Sequence, residues 1–230
     1  MKTWKSALKD TLPVMAGYLV LGCGFGILLR VNGYGVLWAL GMSFFIYAGS
    51  MQFVGISLIT GGASLLSVAV TTLMVNARHL FYGISMLGRY RGAGWKKLYL
   101  MHALTDETYS LVCTDGKAKE NAHGYYFAVS LLNHVYWIAG SVAGSLIGSA
   151  ITFNTAGIDF AMTALFVTVF VEQWLSTKEH RPALIGVGAT LGCLLLFGQE
   201  NFLIPSMVAI MLLLTAIRKP LEKGEKRNEF

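Results

Sequence analysis

Three polar clusters interrupt an otherwise apolar chain: Gly49-Ser50-Met51-Gln52, Asn76-Ala77-Arg78-His79 and Asp106-Glu107. No Asp, Glu, Lys, Arg or His occurs from Val31 to Ala77, a run that suits lipid, and Arg78 follows it directly. A guanidinium at membrane depth costs at least ~2.5–3.5 kcal/mol on insertion scales, so it is normally paired or faces water, and it marks a pathway. The other reading has Arg78 near a helix end, snorkelling to the headgroups. Ten residues separate it from Arg89, which makes that a long reach. Asp106 and Glu107, 28 and 29 positions beyond Arg78, are the obvious counter-charges. Imidazoles titrate near neutrality and desolvated carboxylates shift toward it, so His79, Asp106 and Glu107 are candidate proton carriers. Gly49, Ser50 and Gln52, with Asn76 and Arg78, offer polar groups to the charged ends of a small zwitterion. Phe44, Phe45 and Phe53 lie beside them, although packing is the plainer role for each ring singly.

Composition fixes the setting for these groups. The 230 residues are 55% hydrophobic and 13% charged, with a mean hydropathy of +0.58. Soluble domains carry about 25% charge. The expected class is all-α, a polytopic helical membrane protein embedded in the lipid bilayer. Apolar segments of 16 to 25 residues fit helices and are too long for barrel strands. The net charge of +6 gathers in loops and tails, so no nucleic-acid partner is expected. Cys23, Cys113 and Cys193 lie far apart without a CxxC, and read as packing residues with no disulfide or metal. No phosphate-binding G-x-x-x-x-G-K-[ST] and no H-E-x-x-H occurs, and no cofactor is expected.

The elements that must position the polar groups follow from hydropathy and breakers. Residues 1–11 are basic and read as a short interfacial helix, and Pro13 suits the first turn of helix 1, about 12–29. A signal peptide is the alternative for this end; the segment reads as a retained first helix. Helix 2 covers about 35–59, broken near its middle at Ala48-Gly49-Ser50. Unwound backbone at membrane depth is tolerated only where protein or a wet cavity surrounds it. A close helix crossing at Gly49 is the other account of the glycine. Helix 3 covers about 63–87, and the loop 88–97 has four basic residues and no acidic one. The stretch 98–114 is short for a span; it is either a half-helix entering the interior or an amphipathic surface helix, with His102, Asp106, Tyr109 and Cys113 on one stripe. Helices 4 (about 124–148), 5 (158–175), 6 (183–198) and 7 (202–217) complete about seven hydrophobic segments, followed by a disordered basic tail, 218–230.

Sliding the chain by 122 residues pairs Gly22 with Gly144, Gly26 with Gly148, Asn32 with Asn154 and Phe44 with Phe166. The expected meaning is a single transporter domain over 1–230, built from two three-helix units, about 12–114 and 124–217. If loop 88–97 and the tail are both inside and 98–114 does not cross, the repeat is inverted. That scheme puts the basic N-terminus outside, against the positive-inside preference. Letting 98–114 cross moves the N-terminus inside but exposes loop 88–97 or unsettles the repeat.

Three motifs in order carry a resemblance: Ala48-Gly49-Ser50-Met51-Gln52-Phe53, Asn76-Ala77-Arg78-His79-Leu80-Phe81-Tyr82-Gly83-Ile84-Ser85 and Leu104-Thr105-Asp106-Glu107-Thr108-Tyr109. Together they resemble the signature of the AzlC-type branched-chain amino acid exporter family, over about Pro13 to Leu214, with Met51 a minor departure. The resemblance implies secondary export of apolar amino acids across the bacterial plasma membrane. It also implies proton-motive force as the energy source and a small AzlD-type membrane subunit as partner. Three rivals remain at this point: a membrane-embedded enzyme using Asp106 and Glu107 with His79 or His102, an assembly subunit whose Arg–Asp contacts only join helices, and a channel, whose flux would be too fast for alternating access.

Overall fold

The computed structural model describes residues 2–113, 121–150, 167, 170, 171, 174, 175 and 180–225. Ten helices and no strand occur among the described residues. Helix 5 (158–175), with Asp159 and Glu172-Gln173, falls almost wholly outside them, as do residues 114–120 and 151–157. The chain divides into two compact units, Met1–Ala156 and Gly157–Phe230.

The first unit is built on two long helices, α1 (Lys2–Val31) and α8 (Ala122–Ala150), both long and apolar enough to cross a membrane. Their contact runs along glycines. A Cβ on Gly22 would meet the Ser141 amide at 3.0 Å, one on Gly26 would run into Ser141 backbone, and one on Gly144 into Cys23 backbone. In lipid, where apolar burial drives little association, such close approach supplies dispersion contacts that larger side chains would forbid. Tyr18 lies opposite Gly140, Cys23 opposite Gly144 and Arg30 opposite Gly148, so α1 and α8 run parallel. The offset of 122 therefore pairs two helices of the same direction, and the opposed orientation expected of an inverted repeat is absent from this pair.

The N-terminal residues do not form a separate interfacial helix. They continue α1 through Pro13, because α8 holds them: Ala7 and Thr11 are fully buried, Tyr125 donates to Asp10 at 2.9 Å, and Thr11 meets Tyr136.

The expected broken span 35–59 is a hairpin. Helix α2 (Val36–Phe45) starts beside Arg30 at the far end of α1 and descends to His134 near the middle of α8. The chain then turns at Ile46-Tyr47-Ala48, with Tyr47 at φ 43°. Helix α3 (Gly49–Thr60) returns: Gln52 bonds Ser43, Gly55 lies against Met42, and Phe53 packs on Phe25. Residues nine apart on one straight helix stand about 13 Å apart along its axis, so the Ser43–Gln52 bond requires reversal.

Helix α4 (Leu65–Val75) leaves that same end, capped by Ser64, whose hydroxyl accepts from the Ser67 amide. Expected helix 3 is interrupted at Asn76 (φ −93°, ψ 5°), a residue type that favours helix ends, and continues as α5 (Ala77–Met86). End to end, α4 and α5 cross the unit. Loop 88–97 then packs beside the N-terminal part of α1: Tyr90, Ala93 and Ala7 share one core with Leu100, Val112 and Tyr125.

The stretch 98–114 is a second hairpin. Helix α6 (Lys96–His102) runs with α8, from Phe127 at Lys96 to His134 at His102. After Ala103-Leu104-Thr105, helix α7 (Asp106–Val112) returns, with Thr108 against Asn133. Thr105 caps α7 by accepting from the Thr108 amide, so the stripe linking His102 to Asp106 is not on one helix. Leu100, Thr108 and Val112 are buried, which is the interior alternative rather than the surface one.

The second unit contains α9 (Arg181–Asn201), kinked at Gly198 (φ 73°), and α10 (Leu203–Glu225). The latter extends into the tail expected to be disordered. Trp174 stacks on His180 at 4.1 Å beside an apolar groove of about 590 Å³.

Candidate functional site

The tips of the two hairpins meet halfway along α1 and α8, and the polar clusters of the sequence converge there. Arg78, on the first turn of α5, pairs with Asp106 Oδ2 at 2.5 Å through Nη1 and donates to Ser50 Oγ at 3.0 Å through Nη2. Both partners of the ion pair are about one-third exposed, at 38% and 32%. Asp106 Oδ1 and Arg78 Nε are buried without a hydrogen-bond partner. Asp106 begins α7, where the helix N-terminus favours its negative charge. The guanidinium thus bridges a hairpin from each end of the unit.

Glu107 lies in the same turn as Asp106 but is held by α1. Tyr18 Oη donates to Glu107 Oε2 at 2.7 Å and shares a hydrogen bond with Thr105 Oγ1, also at 2.7 Å. Thr105 reaches Thr108, and Thr108 accepts from Asn133 Nδ2 of α8 at 3.0 Å. Of the two carboxylates offered by the sequence, Asp106 is the one that meets Arg78.

Gly49, Gln52, Asn76 and His79 have different surroundings. Gly49 lets Trp137 lie over the first tip: a Cβ there would stand 3.1 Å from the indole. Gln52 is fully buried, donating to Ser43 Oγ at 3.3 Å and accepting from Trp137 Nε1 at 2.9 Å. It ties the two arms of the hairpin to α8. Asn76 is the hinge between α4 and α5. The His79 ring sits 3.3 Å from the Asn76 carbonyl and edge-on to Tyr82. Of the three rings named beside the site, Phe53 is buried on Phe25, Phe44 lies against His134, and Phe45 is exposed.

Six residues of the junction lie outside the site set read from the sequence: Tyr18, Tyr47, Thr105, Asn133, His134 and Trp137. A signal existed for three of them. Asn133, His134 and Trp137, with Ser141, recur at helical spacing inside an apolar helix, and all four are buried. No group of three or more His, Cys, Asp or Glu side chains suited to a metal ion occurs among the described residues.

A model of the AzlC protein family matches residues 13–151, which contain the whole junction. The chain belongs to the AzlC family. It is 48% identical over 223 residues to the Bacillus subtilis (strain 168) protein named "Branched-chain amino acid transport protein AzlC", spanning 96% of this chain and 88% of the relative. A Helicobacter pylori (strain J99) relative named "Uncharacterized membrane protein" is 45% identical, over 96% of this chain and 98% of its own. The Escherichia coli (strain K12) "Inner membrane protein YgaZ" is 27% identical, over 91% of this chain and 85% of its own. No solved structure matches. Membrane proteins are thus the company this AzlC-family chain keeps, in agreement with its long apolar helices.

Proposed function

We propose that this chain is a secondary transporter that exports branched-chain or related apolar amino acids across the bacterial plasma membrane. Transport is linked to protons and is carried out with a small AzlD-type membrane subunit. The carrying observation is the Arg78 guanidinium shared between Ser50 and Asp106 at the meeting point of two hairpins. A substrate carboxylate competes with Asp106 for Arg78. The freed Asp106 carboxylate then receives the substrate ammonium, so charge stays balanced as the zwitterion enters. Gly49, Ser50 and Asn76 line its path, and Asp106 and Glu107 are carboxylates at which a proton can be exchanged. The name of the Bacillus subtilis relative supports the substrate class. The end that carries both the basic N-terminus and loop 88–97 faces the cytoplasm, which satisfies the positive-inside preference at both segments.

The enzymatic alternative needs His79 or His102 beside the carboxylates, whereas His79 faces Asn76 and Tyr82, and His102 faces the Phe44 carbonyl, Tyr47 and His134. The assembly alternative treats the Arg78–Asp106 pair as glue. Efflux of preloaded leucine, valine and methionine separates these readings, in cells lacking their own exporters and expressing the chain with and without an AzlD-type subunit. Export that needs both chains and varies with external pH is expected. No export of any of the three, with both proteins in the membrane, would overturn the reading.

A further inference from the structure

The break between α2 and α3 leaves the last carbonyls of α2 without helical partners, and two histidines take them. His134 Nε2 lies 3.1 Å from Ser43 O, and His102 Nε2 lies 3.4 Å from Phe44 O. A carbonyl only accepts, so each Nε2 carries a hydrogen. In neutral His134 this leaves Nδ1 as an acceptor, and Tyr99 Oη stands 3.0 Å from it. His134 is 4% exposed, whereas His102 is exposed. Their ring centroids are 6.0 Å apart.

We propose that His102 and His134 form a proton-binding pair that takes up one added proton on one ring or the other, and that this pair, rather than Asp106 or Glu107, carries the proton coupled to transport. The proposal rests on the transporter reading above and names the coupling site within it. An added proton enters at Nδ1 of either ring. On His134 it turns the contact with Tyr99 around, so that Nδ1 donates and the Tyr99 oxygen accepts. The cation formed faces the negative end of α2, which stabilises it, and its bond to the α2 carbonyl becomes charge-assisted. A second proton would put two like charges on rings 6.0 Å apart, so the pair takes up one.

Titratable neighbours approach from each packed element. Tyr99 and His102 come from α6, and Tyr47 of the tip turn stacks on His134 at 4.2 Å. Tyr18 of α1 and Glu107 of α7 lie behind Tyr47. Helix α2 contributes only carbonyls among its contacts with the two imidazole nitrogens. Because His102 is on one hairpin and Phe44 on the other, the bound proton strengthens a bond between the tips.

The test has two independent arms on the full chain. In the first, the imidazole nitrogens of histidine-labelled protein are followed by NMR from pH 5 to 9. His102→Gln is expected to move the His134 titration by about one pH unit or more, because interacting sites separate by that much. An unchanged His134 curve, or no titration of either ring, overturns the pair. In the second arm, leucine efflux is measured against pH for wild type, His134→Gln and His102→Gln, each expressed with the AzlD-type subunit. A Gln amide still donates to the carbonyl but takes no proton. Leucine counterflow at equal pH is expected to persist in both variants, while the pH dependence of net efflux flattens. A variant that retains the wild-type pH profile overturns the proposal and leaves the transporter reading standing. Absence of wild-type transport overturns that reading and the assignment of the pair's proton to transport, while the NMR arm still decides whether the two rings share a proton.

Discussion

Ser50 and Asp106 stand on the tips of hairpins that enter the first unit from opposite ends, and one guanidinium holds both. Arg78 Nη2 donates to Ser50 Oγ at 3.0 Å, while Nη1 meets Asp106 Oδ2 at 2.5 Å. A point charge could neutralise Asp106. Serving two partners on different elements takes a planar fork with several donors.

Arg78→Lys therefore keeps the charge and loses the bridge. Transport per molecule at the cell surface is expected to fall at least about tenfold, since one charge-assisted hydrogen bond is worth ~1.5–3 kcal/mol. Asp106→Asn falls by a similar factor. The charge swap Arg78→Asp with Asp106→Arg does not restore export, because position 78 then has no donor for Ser50. Restored export by the swap would reduce the pair to a structural contact.

Trp137 and Gln52 give a stability test apart from the ion pair. Trp137→Phe keeps the ring stack on Phe25 but removes the donor that satisfies Gln52 Oε1. A buried amide oxygen left unpaired costs about 1–3 kcal/mol. Thermal unfolding of the detergent-purified chain should move down accordingly. Further removal of the amide in Trp137→Phe/Gln52→Leu should recover part of the loss, because no polar group is then stranded.

The glycine seam between α1 and α8 predicts a graded effect. Gly144→Ala drives a methyl into the Cys23 backbone, and Gly26→Ala does the same at Ser141. Each should cost about 1–3 kcal/mol, the range for overpacking a tight contact. Gly17→Ala, with nothing within 4 Å, should be neutral or slightly stabilising, as Ala favours helix over Gly by up to ~1 kcal/mol. Folded yield by fluorescence-detected size exclusion reads the order. Equal loss at Gly17 and Gly144 would deny the seam.

Much of the junction was legible in the sequence because a charge in lipid needs a reason. Arg78 after an uncharged run, with two carboxylates ahead of it, announced an ion pair, and Ala48-Gly49-Ser50 announced a break. Direction was not legible. A hairpin of ten and twelve residues has nearly the same apolar length as one crossing helix of 25, and hydropathy measures only compatibility with lipid. The stripe through His102 and Asp106 failed for a readable reason. Thr105 before two carboxylates is a helix start, so position 106 opens a new helix instead of extending the old one. Residues such as Tyr18 and Trp137 carry no charge to mark them, and their roles come from the partners that folding places opposite.

The hairpins make a topological prediction that a crossing helix 2 does not share. If α2 and α3 reverse direction at Tyr47, the turns on either side of the hairpin open on one face of the membrane. If they crossed, these turns would open on opposite faces. The native Cys23, Cys113 and Cys193 are replaced by Ala, and single cysteines are introduced as Asn32→Cys, Ala63→Cys and Arg91→Cys. An impermeant maleimide added to intact cells should label positions 32 and 63 alike and spare position 91, which shares its end with the basic N-terminus. Labelling of 32 and 91 with 63 spared, or of 63 alone, would mean that residues 35–59 span the membrane and that the tips do not enter from opposite sides. The shared guanidinium would then need another explanation, because both Ser50 and Asp106 would lie on crossing segments rather than on tips free to part.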